Sequence, residues 1–239
     1  MQRHIRLHRS RAPVAFHGLR TASDHPTAMQ DLLLMEKALA TLGRDIAPTW
    51  ALSGQLMLPK ETSQVYKAEL SQPLCTAVQV MVVNHLRRWG VQYAAVIGHS
   101  SGEIGAAYAC GAVTMDEAII CAYLRGRAMN TQKSMMPVRA GGMAAVGLVA
   151  SYAQKYLVDG VVVGCENSPP STILSGNEDK LTGVLEAIKQ DRPEVFSKSL
   201  AVDMAYHSHH MKEIDKSTNC PCTPYSQQKP PGSVPLNRN

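Results

Sequence analysis

Residues 94–103 read Ala94-Ala95-Val96-Ile97-Gly98-His99-Ser100-Ser101-Gly102-Glu103. The apolar run Ala94 to Ile97 is a short buried strand, and a Gly-x-Ser-x-Gly turn follows it. Glu103 to Cys110 is a small-residue helix that Gly111 stops. Strand, tight turn and helix in this order form the setting in which the central serine of Gly-x-Ser-x-Gly stands above the sheet edge as a nucleophile. The turn is crowded, which is why glycines flank it. The helix start directs its positive end and free N–H groups at Ser100, and the N–H of Ser101 is placed to hold a developing oxyanion. The plainer reading is a structural Gly/Ser turn; the flanking strand and helix favour the nucleophile.

On the N-terminal side, Met29 opens a helix with Leu32, Leu33, Met35, Ala38 and Leu42 on one face and Gly43 as its stop. A loop is expected to about residue 70. Pro73 suits a helix start, with Leu74, Val78, Val82, Leu86 and Trp89 at near-helical spacing before Gly90. Thr114 and Glu117 form a capping box for a helix to about Asn130. From residue 142 the rhythm changes: strand Met143 to Val149, helix Ser151 to Val158, strands Val161 to Glu166 and Ser171 to Ser175, helix Glu178 to Gln190, strand Val195 to Val202. This βαββαβ order is the split pattern of a ferredoxin-like subdomain. The fold class is therefore α/β, an α/β-hydrolase-like core with a parallel sheet plus an inserted ferredoxin-like subdomain. The expected organisation is a basic disordered head at 1–28, an incomplete core at 29–141, the subdomain at 142–202, a return to the core at 203–216 and a disordered tail at 217–239. The tail holds five of the 14 prolines.

Composition narrows the function classes. Hydrophobic residues at 45% against 18% charged describe a globular chain, and no apolar run approaches a membrane span. The net charge of +5 equals the five arginines of the acid-free residues 1–23, so the remainder is balanced and no nucleic-acid face is expected. That head reads as a mitochondrial presequence or as a disordered or misread start. Six cysteines show neither disulfide-scaffold nor zinc spacing, and Cys220-Pro221-Cys222 is a lone pair. Reduced thiols and a cytoplasmic location fit best.

A nucleophilic serine needs a base. His207 lies in Ala205-Tyr206-His207-Ser208-His209-His210-Met211, after the last expected strand, and a histidine titrating near neutrality suits proton transfer from serine and back to a leaving thiolate. A surface histidine cluster or a weak metal site is the alternative. Arg125 and Arg127 lie on an otherwise apolar helix; spacing alone does not choose between solvated edge residues and a partner for a substrate carboxylate.

Gly98-His99-Ser100-Ser101-Gly102-Glu103, Arg125-Gly126-Arg127 and Ala205-Tyr206-His207-Ser208-His209-His210-Met211 together resemble the acyltransferase domain of iterative polyketide synthases, the malonyl-CoA:acyl-carrier-protein transacylase family. Glu69-Leu70-Ser71-Gln72-Pro73 and Glu166-Asn167-Ser168-Pro169 also look like that family, and the resemblance covers roughly residues 29–215. It implies that Ser100 takes a malonyl-type group from coenzyme A as an ester. His207 would be general base and then acid, and the phosphopantetheine thiol of an acyl carrier protein would accept the group. Arg125 would grip the malonyl carboxylate, Tyr206 occupies a position where an aromatic favours malonyl over methylmalonyl, and His99 and Asn167 would line the pocket. The partners implied are malonyl-CoA, an acyl carrier protein and the other synthase domains, with no nucleic acid, no membrane and no bound cofactor.

The sequence departs from the family in two places. No Gly-Gln-Gly-x-Gln turn, whose first glutamine completes the oxyanion hole, precedes Met29, and nothing after Met211 matches the family's later core elements. A truncated piece of a synthase is the expectation, with two alternatives. One is a catalytically dead remnant that only binds. The other is an α/β-hydrolase-type esterase or thioesterase using Asp179, Asp191 or Asp203 as the acid.

Overall fold

The structure is a computed structural model that describes residues 4–7, 26–59, 61–135, 140–202 and 204–212. The described residues fall into two units, one ending at Arg127 and one beginning at Ala128.

In the first unit, β1 (His4–Leu7) runs parallel to β2 (Ala95–Gly98), in register from His4 opposite Ala95 to Leu7 opposite Gly98. The basic head, expected to be disordered, thus contributes a strand. His4-Ile5-Arg6-Leu7 alternates polar and apolar residues with the period of a strand, a signal hidden by the arginine-rich composition around it. Helix α1 (Pro26–Ala40) buries Ala28, Leu32, Met35 and Leu39, and Leu33, expected on that face, is exposed. Its buried Asp31 is acceptable because Arg88 grips both carboxylate oxygens, at 2.7 and 2.9 Å. That bond pushes the Arg88 guanidinium above its ordinary value.

The expected loop after Gly43 contains a short helix, α2 (Leu52–Met57), pinned by buried Leu52 and Leu56 and by a 2.7 Å bond from the Ser53 N–H to Glu36 Oε1. The carboxylate there answers one of the open donors of the helix start. Helix α3 (Ala68–Arg88) begins before Pro73, which lies inside it and forfeits only the bond its missing N–H would make to residue 69. Helix α4 (Gly102–Ala109) follows β2, and α5 (Met115–Met135) starts on the expected capping box: Thr114 N–H to Glu117 Oε2 at 2.8 Å, Glu117 N–H to Thr114 Oγ1 at 3.2 Å. One core joins these helices, with Leu32, Leu74, Met81, Ile119 and Tyr123 buried and Val96 of β2 packed against it.

The second unit is an antiparallel sheet in the order β4-β5-β3-β6, built from β3 (Gly141–Val146), β4 (Val161–Ser168), β5 (Ser171–Asn177) and β6 (Ser197–Ser199). A helical turn, α6 (Ala150–Ala153), runs into a 3-10 turn (Gln154–Tyr156) between β3 and β4, and α7 (Glu178–Asp191) lies between β5 and β6. Edge strand β6 is shorter than expected, although Gly147 to Phe196 and Leu200 to Met143 hydrogen bonds extend its pairing. Leu181, Val184 and Ile188 of α7 pack on Ala144, Val146 and Leu174, which share one face of the sheet by alternation. Every β5 residue from Thr172 to Asn177 is buried, so both faces of this strand are covered. Residues 204–212, expected to return to the core, belong instead to this unit. They bond to the second face of β5 through Ser175 and Asn177. No helix among the described residues is long and apolar enough to cross a membrane.

Two expectations follow. At Gly126 of α5 a Cβ would lie 2.6 Å from the Ala68 carbonyl oxygen, so the helices touch backbone to backbone. Gly126→Ala should lower stability by about 1–3 kcal/mol in urea unfolding, as overpacked sites do; an unchanged midpoint would refute the close approach. On the second unit, the hydrogen bond to Asp191 pushes the Tyr156 hydroxyl up to about 12 from 10.0, with desolvation adding to the shift. Because the folded value is raised, this bond's stabilisation is complete below the ordinary tyrosine value and is lost as pH climbs through the folded one. An ultraviolet titration of tyrosinate should lose its last-ionising component in Tyr156→Phe; loss of an ordinary component instead would contradict it.

Candidate active site

His99, Ser100 and Ser101 make the whole connection from β2 to α4. The turn is so tight that a Cβ at Gly98 would lie 2.4 Å from the Glu103 backbone nitrogen, which makes glycine obligatory there. Ser100 takes φ +56°, a left-handed conformation that costs a residue with a side chain roughly 1–2 kcal/mol. The N–H groups of Gly102, Glu103 and Ile104 close on the carbonyls of His99, Ser100 and Ser101 at 3.0, 3.1 and 3.4 Å. The row of free helix donors expected at the serine is therefore spent on the turn itself. The Ser101 N–H remains: it makes no hydrogen bond among the described residues, and Ser101 is 3% exposed. One buried donor thus adjoins the Ser100 side chain.

The other end of α4 is clasped by α3 and the segment after it. Arg87 Nη2 donates to the Tyr108 and Ala109 carbonyls at 3.1 and 2.9 Å, and the Tyr93 hydroxyl to Ala109 at 2.7 Å. These answer carbonyls left open at the helix end, and a cation suits that end of the dipole. The Tyr108 hydroxyl bonds to Asn84 Oδ1, and the Arg87 guanidinium lies 4.8 Å from the centre of the Tyr108 ring. This clasp holds the helix that carries the serine, and sequence spacing gave no sign of it.

The structure separates the two arginines that spacing could not. Arg127 donates to the Ile46 and Asp45 carbonyls at 2.9 and 2.8 Å, beside the Tyr123 hydroxyl at 2.6 Å from the same Ile46 carbonyl. It fastens the loop after α1. Arg125 is half-buried and makes no hydrogen bond or ion pair among the described residues, so its five donors are uncommitted. Ser71 and Gln72 of the Glu69–Pro73 motif are buried on α3, and their side-chain oxygens find no hydrogen-bond partner among the described residues.

His99, Ser100, Ser101 and Arg125 belong to the first unit; Asn167, Tyr206 and His207 belong to the second. His207 is exposed and takes φ +61°. Among the described residues, Ser100 and His207 are the two non-glycine positions with positive φ. The His207 Cβ is 3.7 Å from where a Gly164 Cβ would stand, at a bulge of β4, and Asn167 follows at the next irregularity of the same strand. Tyr206 is buried, and its carbonyl accepts a 2.6 Å bond from Ser175 Oγ. His210, part of the cluster that suggested a metal site, is 6% exposed, with Nε2 at 2.8 Å from Asn177 Oδ1. Of the acids a hydrolase would need, Asp191 accepts from the Tyr156 hydroxyl, Asp179 is exposed in the first turn of α7, and Asp203 lies outside the described residues. Cys220 and Cys222 also lie outside them.

The sequence model of the acyl transferase domain matches residues 29–225. A highly reducing polyketide synthase of Fusarium sp is 47% identical over 197 residues, 82% of this chain and 8% of the relative. Another, from Gibberella moniliformis, is 50% identical over 176 residues, 74% of this chain and 7% of the relative. The chain therefore spans under a tenth of the length of these curated relatives. Among solved structures, the acyltransferase domain from module 8 of the salinomycin polyketide synthase superposes with a TM-score of 0.68 at 28% identity, covering 80% of this chain and 43% of that one. The acyltransferase domain of the polyketide synthase PpsC of Mycobacterium tuberculosis shares the fold, with a TM-score of 0.74 at 22% identity over 90% and 61%. With the Gly-x-Ser-x-Gly elbow, the uncommitted arginine and the histidine loop, these likenesses agree: the chain belongs to the acyl transferase domain family, in the form found in polyketide synthases.

Proposed function

We propose that this chain is the acyl-loading domain of a polyketide synthase, moving a malonyl-type group from coenzyme A to the phosphopantetheine thiol of an acyl carrier protein. The observation that carries the reading is the left-handed backbone at Ser100 and His207. Strain of this kind persists where the surroundings over-determine it, and it gathers at reacting groups. On this reading the first unit is an α/β-hydrolase-like core, the second a ferredoxin-like subdomain, and the setting cytoplasmic.

The Ser100 hydroxyl attacks the thioester carbonyl while His207 takes its proton; the carbonyl oxygen becomes the oxyanion that the Ser101 N–H holds. Collapse breaks the carbon–sulfur bond, and His207 returns the proton to the coenzyme A thiolate. The carrier thiol then attacks the Ser100 ester, giving its proton to His207, which passes it to the departing serine oxygen. General acid–base assistance of this kind contributes about 10²–10⁴-fold. Arg125, with uncommitted donors, is the counterpart for the malonyl carboxylate, with Tyr206, His99 and Asn167 lining the acyl site. The substrate is a coenzyme A thioester and the remaining partners are other synthase domains. No resident cofactor takes part in this scheme.

Intact-protein mass after incubation with malonyl-CoA should show one malonyl adduct, absent in Ser100→Ala and released by a carrier thiol. A folded chain that stays unmodified would leave only binding, and release by water at the same rate as by the thiol would favour a hydrolase. Arg125→Ala should cut acylation by malonyl-CoA relative to acetyl-CoA roughly 10- to 150-fold, the equivalent of one charged hydrogen bond. Arg127→Ala should lower stability and leave that ratio unchanged. The opposite pattern would assign the carboxylate to Arg127.

A further inference from the structure

A residue with a side chain does not stay in the left-handed region unaided, and the second unit shows what holds His207 there. The residue before it is tethered by the 2.6 Å bond from Ser175 Oγ to the Tyr206 carbonyl. Beyond it, the chain is tethered by the 2.8 Å contact between His210 Nε2 and Asn177 Oδ1. Ser175 and Asn177 are two apart on β5, so their side chains leave the same face of the strand. That face is opposite Leu174, which points into the helix-covered core. Both are buried, and β5 is paired on both sides, to β3 and β4, so the two anchor points are fixed by the ladder.

Between the anchors the loop runs into the helical residues 209–212, which Ser208 caps. Ser208 Oγ donates to the Ala205 carbonyl at 2.7 Å and accepts the His210 N–H at 3.2 Å, and the Met211 N–H reaches the Ser208 carbonyl at 3.1 Å. The strand beneath is cut to fit. A Cβ at Gly141 would stand 2.8 Å from the Ala205 nitrogen and 3.2 Å from His210 Cε1, so the loop sits directly on the backbone of β3. An exposed, strained His207 is therefore carried on a loop whose two flanks are gripped by one strand.

We propose that Ser175, Asn177 and His210 are positioning residues for His207. The strand-borne clamp keeps the base in its left-handed conformation, with His210 donating through Nε2–H to Asn177. The proposal rests on the acyltransferase reading for what His207 does, and on the geometry of the second unit alone for how it is held.

The test uses the full chain with Ser175→Ala, Asn177→Leu and Asn177→Asp, the last retaining an acceptor oxygen for His210. Residue-level amide hydrogen exchange and thermal melting are read beside the pH profile of Ser100 acylation by malonyl-CoA. Asn177→Leu should speed exchange at residues 204–211 roughly 10- to 100-fold, with β3 to β5 unchanged, because a buried hydrogen-bond partner is lost. Acylation should fall by a similar factor across the pH range with KM for malonyl-CoA preserved, and Asn177→Asp should restore much of both. Ser175→Ala should act in the same direction and serves if Asn177→Leu does not fold. Unchanged exchange at 204–211 in folded Ser175→Ala overturns the clamp. Faster exchange with an undiminished acylation rate overturns the positioning role. A wild-type chain that is never acylated overturns the acyltransferase reading, while the exchange comparison still decides the clamp.

Discussion

A sharp handover from strand to helix governs the first unit. β2 gives way to α4 so quickly that the backbone of Glu103 lies where a side chain at Gly98 would be, and Ser100 takes up the turn with a left-handed backbone. Such a turn survives only if the helix behind it cannot slide. Arg87, Tyr93 and Asn84 supply that resistance at the opposite end of α4, closing on its last carbonyls and on Tyr108. The helix macrodipole and the unsatisfied carbonyls of a helix end make that clasp favourable on its own terms. Its consequence is felt at the serine.

The second unit meets the same demand with different means. His207 also has a left-handed backbone, just ahead of the helical residues 209–212, and a central strand grips the segment on either side of it. Because β5 is covered on both faces, one set of its alternating side chains packs into the helix-backed core while the other reaches the loop. Polar side chains on that buried face, Ser175 and Asn177, would be unfavourable without partners, and the loop supplies them.

Buried charge is managed in the same way. Asp31 sits within the apolar stripe of α1, where an unpaired carboxylate would be strongly destabilising, and the fork of Arg88 matches both its oxygens. Arg127 is spent on two loop carbonyls, and Arg125, two residues earlier on the same helix, is left uncommitted among the described residues. Two arginines that look alike in sequence thus differ in the hydrogen bonds they make.

Local features were legible because local physics produces them. The elbow at Gly98–Gly102, the Thr114–Glu117 capping box and the βαββαβ order each depend on residues a few positions apart, and each appears where spacing placed it. The strand at His4–Leu7, the helix at Leu52–Met57 and the start of α3 before Pro73 were not legible. A four-residue strand, a six-residue helix and one tolerated proline give too little periodic signal against their surroundings. The motif segments, Ser100, His207 and Arg125 among them, could be named from the chain itself. How their backbones are held could not, because the partners concerned, Arg87 for the serine helix and Ser175 and Asn177 for the histidine loop, are distant in sequence. Sequence determined which side chains the motif segments carry, since that depends on residue type and near neighbours. Only the tertiary structure decided which backbone conformations they keep, since that depends on hydrogen bonds closed across the fold.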